Sequence, residues 1–220
     1  MAARLIQIYY DEKQKAEIYP FATPYFNHGL TIFFENNCIK ELVLASTDES
    51  IGVCSWKLKQ KRIYNVRRPR ELTHEVLETD YDVLCFTGNS PNHKMLFAME
   101  QWHKGSLKTM EIILDMIGQK LPGEVRTPIY QNSFMAKLEI YQDYVKNWLA
   151  PIMDLTMSDP IMYSLMTQDS KYSNLAKKDA ASPEYLQEKI GMPYYPLAPF
   201  ILERLFSIYV HNNKINVTQL

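Results

Sequence analysis

The sequence predicts an α/β fold: a single domain over residues 1–220, with a central, mainly parallel or mixed sheet flanked by helices and a helical C-terminal third. Three observations lead there. Apolar runs of strand length recur between segments of helical spacing, the alternation that builds such sheets. The run Ile51–Trp56 is nearly continuous, as in a strand covered on both faces. At 220 residues, 46% apolar and 22% charged, the chain can bury one large core.

The elements follow in order. Leu5–Tyr10 reads as a first strand, interrupted by Gln7 and closed by Asp11-Glu12-Lys13. That apolar stretch is too short for a secretory signal, so none is expected. Asp11–Asn37, with Pro20, Pro24 and Gly29, reads as a long ordered loop holding one short helix. Ile51–Trp56 is a second strand, entered through Asp48-Glu49-Ser50. Arg67-Arg68-Pro69 leads to a helix over Glu71–Thr79. Asp82–Phe86 is a third strand, stopped by Gly88-Asn89. Leu107, Met110, Ile113, Leu114 and Ile117 repeat at helical spacing, with Gly118 and Pro122 beyond them. Ile129–Met135 is a fourth strand, and a long aromatic-rich helix runs from Lys137 to about Met157.

Ser164–Ala181 is polar and aperiodic and reads as a loop. Ser182-Pro183-Glu184 begins a helix, since Ser caps and Pro suits the first turn, and Gly191 suits its end. Leu197–His211 is a last helix, and Ile215–Val217 a short edge strand.

Composition narrows the function. A net charge of −1, with Lys and Arg spread along the chain, gives no basic face for nucleic acid. No run approaches the ~20 apolar residues of a membrane helix, so no transmembrane segment is expected. Cys38, Cys54 and Cys85 lie far apart without metal-ligand spacing, and a reducing cytoplasm is the expected setting.

Four motifs carry candidate chemistry. Asp80-Tyr81-Asp82 is an Asp-x-Asp, but it precedes its strand. A metal-holding pair belongs at a strand's carboxyl end, so a solvated turn is the better reading. Ser55-Trp56-Lys57 does end a strand, where an α/β sheet meets its ligand; a solvated basic turn is the even alternative. Asn132, placed between Tyr130 and Phe134 on one strand face, can bond ligand hydroxyls or tie down a loop. Glu203-Arg204 lies among Leu202, Leu205, Phe206 and Tyr209. A neighbouring cation keeps Glu203 ionised for base or electrostatic work, and a core-edge ion pair is the structural alternative. His103, between Trp102 and Lys104, reads as exposed.

Taken in order, Ile51-Gly52-Val53-Cys54-Ser55-Trp56-Lys57, Tyr81-Asp82-Val83-Leu84, Asn132-Ser133-Phe134-Met135, Trp148-Leu149-Ala150-Pro151-Ile152 and Glu203-Arg204-Leu205 resemble a known family. It is the glycosyltransferase-like domain-of-unknown-function family of bacterial lipopolysaccharide and capsule gene clusters. The resemblance spans about Leu5 to His211. Ser55-Trp56-Lys57-Leu58 stands where that family has His-Tyr-Arg-Arg.

The resemblance implies a GT-A-like fold and transfer of a sugar from a nucleotide-sugar donor to a surface glycan in lipopolysaccharide biosynthesis. On that reading Tyr10, Asp11 and Ser55–Lys57 lie near the nucleotide, Asn132 contacts a sugar, and Glu203 with Arg204 serves the acceptor. The cofactor is unknown. A divalent metal is compatible with the reaction, but no well-placed Asp-x-Asp supplies it. The alternative from another class is a catalytically inactive transferase-like fold that binds a glycan or a protein.

Overall fold

The computed structural model describes residues 3–65, 71–86, 94–125, 127–172 and 181–220, with backbone alone for 62–65. The expected turn at Arg67-Arg68-Pro69, the stop at Gly88-Asn89 and residues 173–180 of the Ser164–Ala181 loop lie outside these residues.

Six strands form one sheet in the order β2-β1-β3-β5-β4-β6: β1 (Ala3–Tyr9), β2 (Thr23–Phe26), β3 (Ser50–Ser55), β4 (Val83–Cys85), β5 (Phe134–Lys137) and β6 (Val217–Gln219). All five strands predicted from the sequence contribute to it, Ile129–Met135 only through Phe134 and Met135 and Ile215–Val217 only through Val217. β5 runs antiparallel to both β3 and β4, and the other pairings are parallel, so the sheet is mixed.

Alternation along each strand splits the core. Ile6, Ile8, Ile51, Val53, Val83, Cys85, Phe134 and Ala136 face the larger apolar cluster. Leu5, Tyr9, Cys54, Leu84 and Met135 face the smaller one. Both faces are covered, which is why a strand such as β3 reads as a nearly continuous apolar run. Gly52 sits where a Cβ would come within 2.8 Å of the Met135 side chain and 3.0 Å of the Phe134 carbonyl, so a larger residue would force the sheet apart.

The larger face is covered by helices α1 (Glu35–Ala45), α4 (Met95–Trp102), α5 (Ser106–Met116), α6 (Leu138–Tyr144), α7 (Ala150–Ser158), α8 (Pro160–Met166) and α10 (Ala198–Asn212). The smaller face is covered by residues 18–22, which follow the 3-10 turn Glu12–Glu17, and by α2 (Leu58–Asn65) and α3 (His74–Leu77). α9 (Pro183–Ile190) is capped by Ser182, whose side chain accepts from the Tyr185 N–H, and ends at Gly191 with φ of 75°. α6 and α7 are one continuous rod with a π-helical turn, Val145–Leu149, between them. Pro151 follows that turn and lacks the N–H that a regular helix would give to Asn147. Among the described residues, no helix is long and apolar enough to cross a membrane.

Several expectations change. The Asp11–Asn37 loop contains β2 and the start of α1 as well as its short helix. The Glu71–Thr79 helix shrinks to His74–Leu77, because Thr73 caps Val76 and the Thr79 hydroxyl turns back to the Val76 carbonyl. Ser164–Met166 closes α8 instead of opening a loop. On α5, Met110, Ile113 and Leu114 are buried, while Leu107 and Ile117 are half-buried against the same core.

The largest correction concerns Ile129–Met135, which becomes a strand only at Phe134. Ile129 gives its N–H to the Ser207 hydroxyl at 2.7 Å, and that hydroxyl donates back to the Ile129 carbonyl at 2.8 Å. Gln131 and Asn132 then take left-handed conformations, with φ of 61° and 51°. A segment whose backbone bonds go to a helix side chain has no neighbour to form a ladder with.

Candidate functional site

The chain leaves β1 toward β2 on one side and returns to β3 on the other. This reversal of strand order opens a crevice outside the carboxyl ends of β1 and β3, the place where such sheets bind ligands. A cleft of about 1270 Å³ lies there. It has two walls.

The first wall is the sheet edge. Tyr10 and Asp11 follow β1, and Ser55, Trp56 and Lys57 end β3; all five line the cleft. Trp56 donates its N–H to the Ile8 carbonyl at 2.8 Å, which keeps the β3 exit in register with β1. Ser55 is buried and accepts from the Lys57 N–H at 3.3 Å. The Lys57 ammonium rests 5.3 Å from the Trp56 ring centroid. α2 starts at Leu58, immediately after this turn, and Lys61 one turn on also lines the cleft and reaches the Gln131 carbonyl at 3.4 Å.

Asp11 has a structural task. Its carboxylate accepts from the Lys13 N–H at 2.9 Å, and the Gln14 side-chain oxygen accepts from the Asp11 N–H at 3.3 Å, which closes a capping box, and also from the Tyr10 N–H at 2.7 Å. The Tyr10 phenol is held well above its usual range by burial, with the Glu35 charge adding to it.

The second wall is helical. Glu203 and Arg204 project from α10, with Glu203 Oε2 3.7 Å from Arg204 Nη1. The side chains are 20% and 12% exposed. Burial raises the Glu203 carboxyl; Glu35 pushes the same way, while Lys61 and Arg204 oppose it. Burial likewise lowers Arg204, against the pull of Glu203. Arg204 Nη1 donates to the Phe200 carbonyl at 2.6 Å, and its guanidinium carbon lies 5.9 Å from the Tyr130 ring centroid.

Around this pair the wall is aromatic. His103 stacks on Phe200 at 3.9 Å and 23°, and Phe34 stacks on Tyr195 at 5.6 Å and 25°. Tyr172 bridges them, 5.1 Å from both Tyr195 and Phe200. The pairing of Asp169 with Pro196 brings those two segments side by side. Phe34 adopts φ of 52° and ψ of −127°, a conformation that costs a non-glycine residue about 1–3 kcal/mol. Such strain survives only where surrounding structure enforces it.

Of the eight site residues expected from the sequence, seven line the cleft: Tyr10, Asp11, Ser55, Trp56, Lys57, Glu203 and Arg204. Asn132 does not. With left-handed backbone at 131 and 132, the period-two argument fails. Gln131 lines the cleft beside Tyr130, while Asn132 is buried away from it at 7% exposure. Asp80 and Asp82 lie at the opposite edge of the sheet, where Lys137 contacts them at 3.3 and 3.0 Å.

His103, which reads as exposed in the sequence, is instead 3% exposed and lines the cleft. Its Nδ1 sits 3.3 Å from the Ser170 carbonyl, so a neutral ring donates from Nδ1 and keeps Nε2 as an acceptor. Burial, and then the Arg204 charge, lower it to about 4. A signal did exist: Met95, Met99, His103, Ser106 and Met110 continue one buried stripe from α4 into α5. Among the described residues no group of three His, Cys, Asp or Glu side chains could hold a metal ion.

No protein-family model, no curated protein and no solved structure matches the chain.

Proposed function

We propose that the chain is a nucleotide-sugar-dependent glycosyltransferase of the GT-A type, acting in the cytoplasm on a bacterial lipopolysaccharide or capsule glycan. One observation carries this reading. The cleft at the β1/β3 switch point brings a sheet edge bearing Lys57 and Lys61 together with a buried acid–base pair on an aromatic wall. A nucleotide diphosphate suits the first wall. Lys57, Lys61 and the first turn of α2 offer cations and N–H groups for phosphate, and Trp56 and Tyr10 offer rings for a base. A sugar suits the second, where aromatic faces cover its apolar side and polar groups fix its hydroxyls.

In this reading Glu203 is the general base. Its raised pKa brings the carboxylate nearer to a hydroxyl's needs than an ordinary surface acid. The acceptor hydroxyl gives its proton to Glu203 as its oxygen bonds the donor's anomeric carbon. The bond from that carbon to the diphosphate oxygen breaks, and the electron pair leaves with the diphosphate. Lys57 and Lys61 meet the charge that develops there. Arg204 keeps Glu203 ionised for the next cycle.

A divalent metal does not fit the described residues, since Asp11 is engaged as a cap, so no step is routed through one. The same observation favours a second reading: a transferase-like fold that binds a glycan or a partner without turnover. The test is a thermal-shift titration with nucleotide sugars, with and without Mn²⁺, followed by an assay for released nucleotide. At a hundred times Kd, binding adds about 2.7 kcal/mol and is readily seen. Stabilisation with nucleotide release supports the transferase. Stabilisation without release supports the binding module. No stabilisation by any nucleotide or nucleotide sugar overturns the first reading.

A further inference from the structure

Helix α4 is apolar on two sides. Met95, Leu96 and Met99 are buried in the larger core cluster. Phe97 and Trp102 project from its outer side and are 66% and 55% exposed. A helix that has already buried one stripe gains nothing for folding from two large rings in water. Exposed rings of this kind mark a surface that something else covers.

The outer face is also cationic. Lys94 stands at the N-cap and Lys104 just beyond the last turn, and both are exposed. Lys94, Ala98 and Trp102 follow one another a turn apart along it. Glu100, the carboxylate within this stretch, is engaged elsewhere. Its Oε1 accepts from the Gly105 N–H and its Oε2 from the Leu107 N–H, each at 2.9 Å, so its charge serves the start of α5. Met157 and Ile161, at the corner of α7 and α8, are comparably exposed at 62% and 70%, but Asp154 and Asp159 flank them. Sign separates the two faces: carboxylates repel an anionic surface and ammonium groups seek it.

Rings flanked by lysines on one helix face suit the headgroup region of a bilayer. Trp and Phe settle at the boundary of headgroup and acyl chain, with the indole N–H left among polar groups. Lysine stems run along the apolar surface while their ammonium groups reach the lipid phosphates. Two rings and two lysines on an eight-residue helix are a small footprint for a stable protein–protein interface. A bilayer needs no matching area. The face also borders the cleft, because Ala98 and Trp102 line both.

We propose that the outer face of α4, through Phe97, Trp102, Lys94 and Lys104, binds the surface of an anionic lipid bilayer and sets the mouth of the cleft against it. The proposal goes beyond the transferase reading and does not depend on it. A bilayer held there brings the cleft within reach of a substrate anchored in lipid. Two shallow rings and two exposed cations give reversible, salt-sensitive attachment.

Sedimentation of the chain with large vesicles is the test. Vesicles of phosphatidylcholine mixed with phosphatidylglycerol carry the protein down, vesicles of phosphatidylcholine alone do not, and 1 M salt releases it. Phe97→Ser lowers the partition coefficient about tenfold or more, the scale of one ring withdrawn from apolar surroundings. The double variant Lys94→Gln, Lys104→Gln lowers it roughly 10–30-fold, the scale of two cations near an anionic surface. All three positions are exposed, so Tm holds in these variants and lost binding is not lost folding. Brominated acyl chains quench the tryptophan emission. Trp102→Phe keeps a ring on the face and still sediments, but loses that quenching. No sedimentation with the anionic vesicles overturns the proposal, as does equal sedimentation with the neutral ones. So does undiminished binding by Phe97→Ser. A solution dimer that Phe97→Ser splits into monomers assigns the face to a second copy of the chain and overturns it as well.

Discussion

Two acid–base clusters among the described residues, one at each end of the strands, are built differently. At the amino edge of β4, Lys137 reaches Asp82 at 3.0 Å and Asp80 at 3.3 Å, and Asn216 donates to the second Asp82 oxygen at 3.4 Å. Asp80 is 78% exposed. The Lys137 ammonium is raised, chiefly by its hydrogen bonds to Asp82 and Asp80. Each partner steadies the charge of the other. At the carboxyl edge, Glu203 and Arg204 stand 3.7 Å apart, and burial pushes both toward their neutral forms. The first cluster is solvated and satisfied. The second is desolvated and incompletely bonded, which is how chemistry at a site is usually prepared.

Single substitutions sharpen the contrast. The largest effect is expected from Arg204→Leu, which strands the Glu203 charge in the cleft wall. Removing one partner of a buried pair costs about 3 kcal/mol at the low end, because Glu203 can take up a proton in response. For a chain of this size that is a fall in Tm of roughly 6–12 °C. Lys137→Leu, by contrast, leaves Tm nearly unchanged, since its partners are wet. Differential scanning calorimetry on both variants decides it, and equal losses would erase the distinction between the clusters.

A smaller effect belongs to pH. The His103 ring titrates at about 4 in the fold and near 6.5 when unfolded. Between those values the unfolded chain binds more protons, so stability falls as pH drops from about 6.5 to about 4. His103→Asn removes that contribution. Its Tm should decline less steeply than wild type across this window and run parallel to wild type above pH 7. Identical slopes below pH 6.5 would mean that the imidazole is not shielded. The smallest effect is expected from Asp80→Asn, a change in Tm of about a degree or less that shrinks further in 1 M salt.

Much of this was legible in the chain. Four of the predicted strands were visible because each is an apolar run bounded by polar residues. The cleft followed from position, since Tyr10-Asp11 and Ser55-Trp56-Lys57 each close a parallel strand. Glu203-Arg204 stood out as a charged pair inside an apolar helix. What failed has a common cause. Ile129–Ser133 looks like a strand, but Ser207, 78 positions away, takes both backbone groups of Ile129, and the Ser133 N–H turns back to the Tyr130 carbonyl. No local pattern reports such a partner. Phe34 and Glu35 reach the cleft only because the β2–α1 connection returns to the sheet edge, again a tertiary fact. The reading of His103 as exposed is one that the periodicity of its neighbours corrects.

The account's central claim is that Glu203 is kept for chemistry and not for stability. Glu203→Gln tests it on one protein with two readouts. The amide keeps the shape and removes a charge that burial disfavours. Because the carboxyl is raised in the fold, the charged form loses stability as pH climbs through that pKa, and the amide is spared the loss. Melting temperature should therefore hold or rise slightly, with the advantage over wild type growing from acid to neutral pH, while nucleotide release from the nucleotide sugar that wild type turns over falls to background. A variant that melts several degrees lower, or one that retains full turnover, contradicts the account.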